Sequence, residues 1–123
     1  MKELTLRIVP DFPMINEGDN LGIIILDALS KFGYSLKDGD ILVLAQKIVS
    51  KAEGRLVPLE SVIPTDEAVA LASETEKDPR LVQLILNESI EIMRYKPGVI
   101  IVRHKLGHVG ANAGIDQSNI EQD

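Results

Sequence analysis

The sequence predicts an α+β fold of mixed strands and helices, without the regular strand and helix alternation of a Rossmann-type sheet. Three observations predict it: apolar residues at helical spacing over 21–32, a continuous apolar run over 41–45, and two strand-like segments on either side of Lys96-Pro97-Gly98. The 123 residues amount to about one domain. A chain of this length buries roughly two-thirds of its unfolded surface, which is enough for a core.

The N-terminal part reads as a strand, a loop and a helix. Every second residue over 4–8 is apolar and Pro10 follows, which predicts a short strand that leads into a loop over 10–18. We then expect a helix capped by Asp19 and stopped by Gly33. Its apolar positions are Leu21, Ile24, Ile25, Ala28, Leu29 and Phe32.

The middle of the chain contains the longest strand-like run. A turn signal over 37–40 precedes the run 41–45, whose unbroken apolar character predicts a strand buried on both faces. Polar and charged residues crowd 46–55 directly after it, and a second short apolar piece covers 56–59. Because functional sites are commonly built at the ends of buried strands, 46–55 is a candidate functional segment.

The second half of the chain has clear start signals for helices. Thr65 can cap a helix over 66–76, and the Asp-Pro pair at 78–79 starts another, with proline at the first helical position. The Lys-Pro-Gly turn then predicts a hairpin. Its two strands are 90–95 and 99–103.

The composition excludes several classes of function. The net charge of −6 argues against broad binding to nucleic acid or to anionic lipid. The chain has no cysteine and only two histidines, which excludes disulfides, thiolate nucleophiles and a multi-histidine zinc site. No apolar run reaches the roughly 18 residues that span a membrane, and the N-terminus lacks a hydrophobic signal region. We therefore expect a cytoplasmic protein.

The densest basic cluster in this acidic chain is Lys47, Lys51 and Arg55. Ammonium and guanidinium groups near strand ends suit phosphates, because they supply charge-assisted hydrogen bonds. The charge pattern alone favours a solvated face in which Glu53 pairs with neighbouring cations.

The loop 107–119 contains glycines, asparagines and one aspartate. The carboxylate of Asp116 and the amide of Asn119 offer hard oxygen ligands of the kind that Mg²⁺ or Mn²⁺ prefers. The same residues also fit simple turns and a helix cap. His104 and His108 are four residues apart, but their strand and glycine context is not helical, and we interpret them as non-ligands.

Three segments together resemble the coenzyme F420-0:gamma-glutamyl ligase family. They run from Gly39 to Arg55 (GDILVLAQKIVSKAEGR), from Gly110 to Asn119 (GANAGIDQSN) and from Asp11 to Asp19 (DFPMINEGD). They stand in the family's order and at compatible separations, and the resemblance covers essentially the whole chain.

The resemblance implies the fold of the N-terminal half of such a ligase and a GTP-dependent reaction. In it, L-glutamate is joined to coenzyme F420-0 through an acyl phosphate and an amide bond, and further glutamate can follow. The implied cofactors are Mg²⁺ or Mn²⁺ and a monovalent cation such as K⁺, with GTP as co-substrate. The implied assembly is a homodimer, with no nucleic acid or membrane partner.

Functional residues are carried over by position, and no catalytic residue is among them. Asp116 matches the family's metal ligand. The nucleotide contacts implied in this way are Pro10, Asp11, Phe12, Pro13, Gln46, Lys47, Lys51 and Asn119.

The length departs from the family's pattern, because family members continue for about as many residues again. We therefore expect 1–123 to be one domain, the N-terminal part of a truncated ligase-like protein, with little activity unless a second polypeptide supplies the C-terminal half. Two alternatives stay open: a non-catalytic nucleotide-binding or assembly module, and a ligase for a different acyl acceptor. The different acyl acceptor is considered because no feature of this sequence indicates recognition of the deazaflavin ring.

Overall fold

The computed structural model describes residues 1–117, which contain four α-helices and one three-stranded antiparallel sheet. The helices are α1 Leu21–Lys31, α2 Gln46–Ala52, α3 Asp66–Thr75 and α4 Pro79–Asn87. The strands are β1 Ser89–Lys96, β2 Val99–His104 and β3 Val109–Ala111, in the order β1-β2-β3. Short 3-10 turns cover Leu59–Ser61 and Asn112–Gly114. The α+β prediction is confirmed.

The chain forms two compact units, one over Met1–Leu56 and one from Val57 onward. The sequence-based prediction of one domain over 1–123 stays a prediction. Within residues 1–117, no helix combines the length and the apolar character that crossing a membrane requires.

The helix α1 begins one residue later than the sequence suggested. The cap is Asn20, whose side chain accepts the Ile23 N–H at 3.2 Å. Asp19 instead accepts the Asn16 N–H at 2.7 Å and closes the preceding turn, so the predicted cap was wrong. The predicted stop is confirmed, because Gly33 has φ +68° and donates to the Ser30 carbonyl directly after the last turn.

Two predicted strands are absent from the first unit. Residues 4–9 and 41–45 have no strand assignment, since the only backbone ladder among the described residues joins β1, β2 and β3. Ile41 and Val43 are 85% and 92% exposed, so the prediction of a strand buried on both faces was wrong. The physical reason is that a strand needs the N–H and C=O groups of a neighbouring strand, whatever its own apolar pattern.

The second unit follows the sequence signals closely. Thr65 caps α3 by accepting the Ala68 N–H at 3.3 Å. Asp78 caps α4 by accepting the Arg80 N–H at 2.8 Å, with Pro79 in the first helical position. Both predicted helices are confirmed.

The predicted hairpin is also confirmed. β1 and β2 pair from Lys96 opposite Val99 to Ser89 opposite His104, with two register irregularities. The Gly98 N–H at its turn donates to the Thr75 carbonyl at 2.8 Å and so fastens the hairpin to α3. One face of the sheet packs on α3 and α4. The core of this unit consists of Ala68, Leu71, Ala72, Leu81, Val82, Ile85, Ile100, Val102 and Ala113.

Candidate functional site

The helix α2 places two lysines on one side of the first unit. Lys47 and Lys51 are four residues apart, so they share a helix face; Lys47 is exposed and Lys51 is half-buried. The sequence pattern does not predict this helix, because its residues have the character of a polar segment that follows a strand. The signal that could have found it is the glycine that follows, at position 54.

Gly54 ends α2 in a Schellman motif. The Gly54 N–H donates to the Lys51 carbonyl at 3.1 Å, and the Arg55 N–H donates to the Ser50 carbonyl at 2.8 Å. Gly54 has φ +63°, and a Cβ at this position would lie 2.5 Å from Oε1 of Glu17. The left-handed backbone therefore favours glycine here, and a Cβ would also require the flexible end of the Glu17 side chain to move.

A shallow cavity of about 250 Å³, largely open to solvent, lies where the opening loop meets the end of α2. The Gly18 N–H donates to the Ala52 carbonyl at 2.9 Å and holds the loop against the helix. The cavity is lined by Ile15, Asn16, Glu17, Lys51, Gly54 and Leu56. Its wall thus combines one ammonium group, one carboxylate and one amide, which suits a small polar ligand or the charged end of a larger one.

Among the nucleotide contacts expected in residues 1–56, Lys51 alone is part of this lining. Gln46 and Lys47 lie on α2 outside the lining. The loop residues that were expected to approach the nucleotide lie before Ile15, the first residue of the lining, and are not part of it. Those loop residues are Pro10, Asp11, Phe12 and Pro13. Asn16 and Glu17 carry no recognisable signal in the sequence, because their place in the cavity wall depends on the tertiary closure of the loop.

The second candidate segment is the loop that leads to Asp116. Asn112, Ala113 and Gly114 have φ of +51°, +53° and +72°, a left-handed turn in which two of three residues are not glycine. Two contacts hold it: Asn112 Oδ1 accepts the Ile100 N–H at 3.1 Å, and Ala113 is buried in the core. Left-handed residues other than glycine persist where the surroundings fix them, and they often mark functional loops.

Asp116 follows this turn and is exposed. Asn119, its expected neighbour in the site, lies outside the described residues. Within residues 1–117 there is no group of three His, Cys, Asp or Glu side chains that could hold a metal ion. A single carboxylate does not bind Mg²⁺ or Mn²⁺ firmly, so the described residues do not by themselves form the expected metal site.

The two histidines form a structural pair at the β2–β3 connection. Their rings stack with centroids 4.6 Å apart and planes 13° from parallel. His104 Nδ1 accepts the Leu106 N–H at 3.0 Å, and its Nε2 lies 3.5 Å from Oε2 of Glu88. Both ring nitrogens of His104 therefore face contacts that shape the connection.

Comparison with known proteins gives one consistent result. Residues 11–123 match the protein family described as F420-0:Gamma-glutamyl ligase. A coenzyme F420:L-glutamate ligase of Methanothermobacter thermautotrophicus is 46% identical over 118 residues, which cover 96% of this chain and 47% of that protein.

Two further proteins of the same name show the same proportions. The one from Methanosarcina mazei is 43% identical over 92% of this chain and 42% of its own length. The one from Methanocaldococcus jannaschii is 40% identical over 89% of this chain and 43% of its own length. The chain thus spans a little less than half the length of these curated relatives.

Proposed function

The chain belongs to the F420-0:gamma-glutamyl ligase family, and we propose that it provides the nucleotide-binding part of an enzyme that joins L-glutamate to coenzyme F420-0 in a GTP-dependent reaction. The relatives named above support the glutamate and F420 parts of this proposal. The dependence on GTP is what the family resemblance implies, and the lysines of α2 are compatible with phosphate binding.

The observation that carries the proposal is the cavity at the end of α2. Two separate sequence segments, the opening loop and the lysine segment, meet there, and Lys51 contributes its positive charge to the wall. Lys51 would hold a phosphate of GTP. The Glu17 carboxylate on the same wall disfavours a bare polyanion, which favours a nucleotide whose charge is partly neutralised by a cation.

The proposed chemistry has two steps. The γ-phosphoryl group of GTP passes to a carboxylate of F420-0, which gives an acyl phosphate and GDP. The glutamate amine then attacks the acyl carbon, an amide bond forms, inorganic phosphate leaves, and the amine gives up its proton. In both steps the chain's own part is to bind and orient the nucleotide, because positioning and charge stabilisation dominate phosphoryl transfer.

A divalent cation, Mg²⁺ or Mn²⁺, belongs to this proposal, with a monovalent cation such as K⁺ beside it. When bound, the divalent cation would spread the negative charge of the phosphoryl group during its transfer. Asp116 would supply one ligand. Since the described residues do not complete the site, the remaining oxygens must come from the nucleotide and from groups outside them.

We propose further that full activity requires the part of the ligase that this chain does not match, that the active form is a homodimer, and that it works in the cytoplasm. The coverage of less than half of each relative supports the first of these points. The isolated chain would then bind GTP and catalyse little or no ligation.

The proposal is tested first by titrating the chain with GTP and Mg²⁺ in a calorimeter. Lys51→Ala should weaken GTP binding by about 10- to 100-fold, the loss expected for one charge-assisted hydrogen bond. Lys31→Ala, in the last turn of α1, removes a lysine of the same unit outside the cavity and should leave the affinity unchanged. Equal affinity of the Lys51 variant and the parent chain would contradict the role of Lys51.

A further inference from the structure

Three hydrogen bonds around one histidine close the connection between β2 and β3. The His104 N–H donates to the His108 carbonyl at 2.8 Å, and the Gly107 N–H donates to the His104 carbonyl at 2.8 Å. The third bond uses the side chain, since His104 Nδ1 accepts the Leu106 N–H at 3.0 Å. The His104 side chain is only 12% exposed, so its ring is part of the turn and not a solvated appendage.

The bond from Leu106 fixes the protonation state of the His104 ring. A ring nitrogen that accepts an N–H carries no proton of its own, so the proton of the neutral ring is on Nε2. Nε2 lies 3.5 Å from Oε2 of Glu88, where a donor has an acceptor to face. The closed turn therefore contains a neutral His104 in the Nε2–H form.

Protonation of His104 converts Nδ1 from an acceptor into a donor. Two N–H groups would then face each other across the 3.0 Å that now separate Nδ1 and the Leu106 nitrogen, and the ring would have to leave this amide. Histidine is the side chain that changes its charge between about pH 5 and pH 8. The turn thus contains one bond that an ordinary change of pH removes.

The charged groups that face the ring do not replace this bond. Glu88, directly after α4, contacts Nε2, and it stays a partner of the protonated ring on the side away from Leu106. The His108 ring stacks on His104 with centroids 4.6 Å apart, so a positive charge on both rings adds repulsion within the turn. Lys105, exposed in the same turn, adds a further positive charge.

The nearest charges on the strands offset each other. Arg103 on β2 lies 3.8 Å from Oε2 of Glu91 on β1, and both side chains are about half exposed. This pair contributes little to the charge that the His104 ring experiences.

The turn is continuous with the loop that leads to Asp116. β3 is joined to β2 at three residue pairs, and the pair of Arg103 and Val109 stands directly beside the turn. Asn112 follows β3 and accepts the Ile100 N–H at 3.1 Å. Because so short a ladder depends on its closed end, an open turn loosens β3 and the loop after it.

We infer that His104 is a pH-sensitive switch in the β2–β3 connection. The neutral ring closes the turn, and protonation opens it and loosens both β3 and the loop before Asp116. The inference goes beyond the proposed function and rests on it only for the role of Asp116 as a metal ligand.

The test is NMR of the ¹⁵N-labelled chain, without nucleotide or metal, between about pH 8 and about pH 5. At the upper pH, the Leu106 amide should show a scalar coupling through the hydrogen bond to His104 Nδ1, and the ring nitrogen shifts should report the Nε2–H form. As His104 takes up a proton, the coupling should vanish. Protection of the β3 amides from hydrogen exchange, corrected for the intrinsic rate at each pH, should fall about tenfold.

The matched variant is His104→Asn, which does not titrate. Its side-chain oxygen can accept the N–H two residues further on, as in an Asx turn, so the turn should stay closed. The protection of β3 should then be the same across the whole pH range. His108→Asn removes the other histidine and should keep the pH response of the parent chain.

Three results would overturn the inference: a ring protonated on Nδ1 at about pH 8, protonation of His104 with unchanged protection of β3, or an equal loss of protection in His104→Asn. A pH response that disappears in His108→Asn alone would assign the switch to His108 instead. None of these measurements involves GTP, whereas the Lys51→Ala titration does. Failure of the inference and failure of the proposed function are therefore distinguishable.

Discussion

The side chain of Asn112 accepts the backbone N–H of Ile100 at 3.1 Å, and this bond ties the loop before Asp116 to the centre of the sheet. Ile100 is fully buried, so its N–H has few other partners within reach. The position of the proposed metal ligand therefore depends on one asparagine four residues before it.

Replacement of Asn112 by Ala should destabilise the chain by about 2–3 kcal/mol. Two losses contribute: the buried Ile100 N–H is left without its acceptor, and alanine tolerates the left-handed region less well than asparagine. Chemical denaturation measures the free energy of unfolding. Asn112→Gly keeps the backbone preference and loses only the hydrogen bond, so it should cost about 1–2 kcal/mol. If the two variants were equally stable, the left-handed backbone would not contribute.

Gly54→Ala should destabilise the chain slightly more than Gly33→Ala, because the flexible end of the Glu17 side chain must move to admit a Cβ. Both glycines have positive φ, +63° and +68°, but only a Cβ at position 54 meets another group, the Glu17 carboxylate. The backbone term common to both is about 1–2 kcal/mol. Chemical denaturation of both variants gives the difference that belongs to the contact with Glu17.

The double variant Gly54→Ala/Glu17→Ala tests that contact directly. Removal of the Glu17 side chain should restore part of the lost stability, because the clash disappears and the backbone term stays. If the change in the free energy of unfolding of the double variant equalled the sum of the two single changes, the Glu17 side chain would not lie against Gly54 in solution.

The stabilising contribution of Asp78 should be lost in acid. Hydrogen bonds from the Arg80 side chain, and then from its backbone N–H, lower the pKa of this carboxyl from 3.8 to about 2. Because the folded-state pKa is the lower one, the stabilisation is complete above about pH 4 and is lost as the pH falls towards 2.

Asp78→Asn removes this dependence and keeps a good helix cap. The free energy of unfolding of the variant should fall less steeply than that of the parent between pH 4 and pH 2, the window between the two pKa values. Denaturant titrations at several pH values measure the slope. Identical slopes would contradict the role of the Arg80 contact.

Tyr34→Phe should raise the pKa of Asp40. The Lys37 backbone N–H and then the Tyr34 hydroxyl lower the pKa of that carboxyl, so loss of the hydroxyl removes the second contribution and leaves the first. The pKa should rise and stay below its ordinary value. Carboxyl chemical shifts in an NMR titration report it, and an unchanged pKa would mean that the hydroxyl points elsewhere.

The second unit could be predicted from sequence because its signals are local. Thr65 and Asp78 accept N–H groups of their own first helical turns, and Pro79 fixes φ at the first helical position. The Lys-Pro-Gly turn is likewise a local signal for the hairpin. The first unit could not be predicted from sequence in the same way, because a strand at 41–45 would need a partner strand, and no local rule says whether one is present. Asp19 and Asn20 show the same limit on a small scale, since both can cap and the preceding turn decides between them.

The candidate site divides in the same way. Lys51 belongs to the basic cluster visible in the sequence and is a nucleotide contact implied by the family resemblance, and it lines the cavity. Glu17 and Asn112 could not be identified from the sequence as important residues. Glu17 approaches Gly54, 37 positions away in the chain, and Asn112 accepts the N–H of Ile100, 12 positions away. Contacts of this kind follow from tertiary closure and leave no spacing to read.

The most direct test of the proposed function is mass spectrometry of coenzyme F420-0 after incubation with L-glutamate, GTP and Mg²⁺. The catalyst is the chain assembled with the part of the Methanothermobacter ligase outside its match. We predict a product heavier by one glutamyl residue and GDP in equal amount. In the Lys51→Ala assembly both should fall at least tenfold when the GTP concentration is well below the Kd of the parent chain. An intact assembly that yields no glutamyl product, or that yields it equally well without GTP, would contradict the proposal.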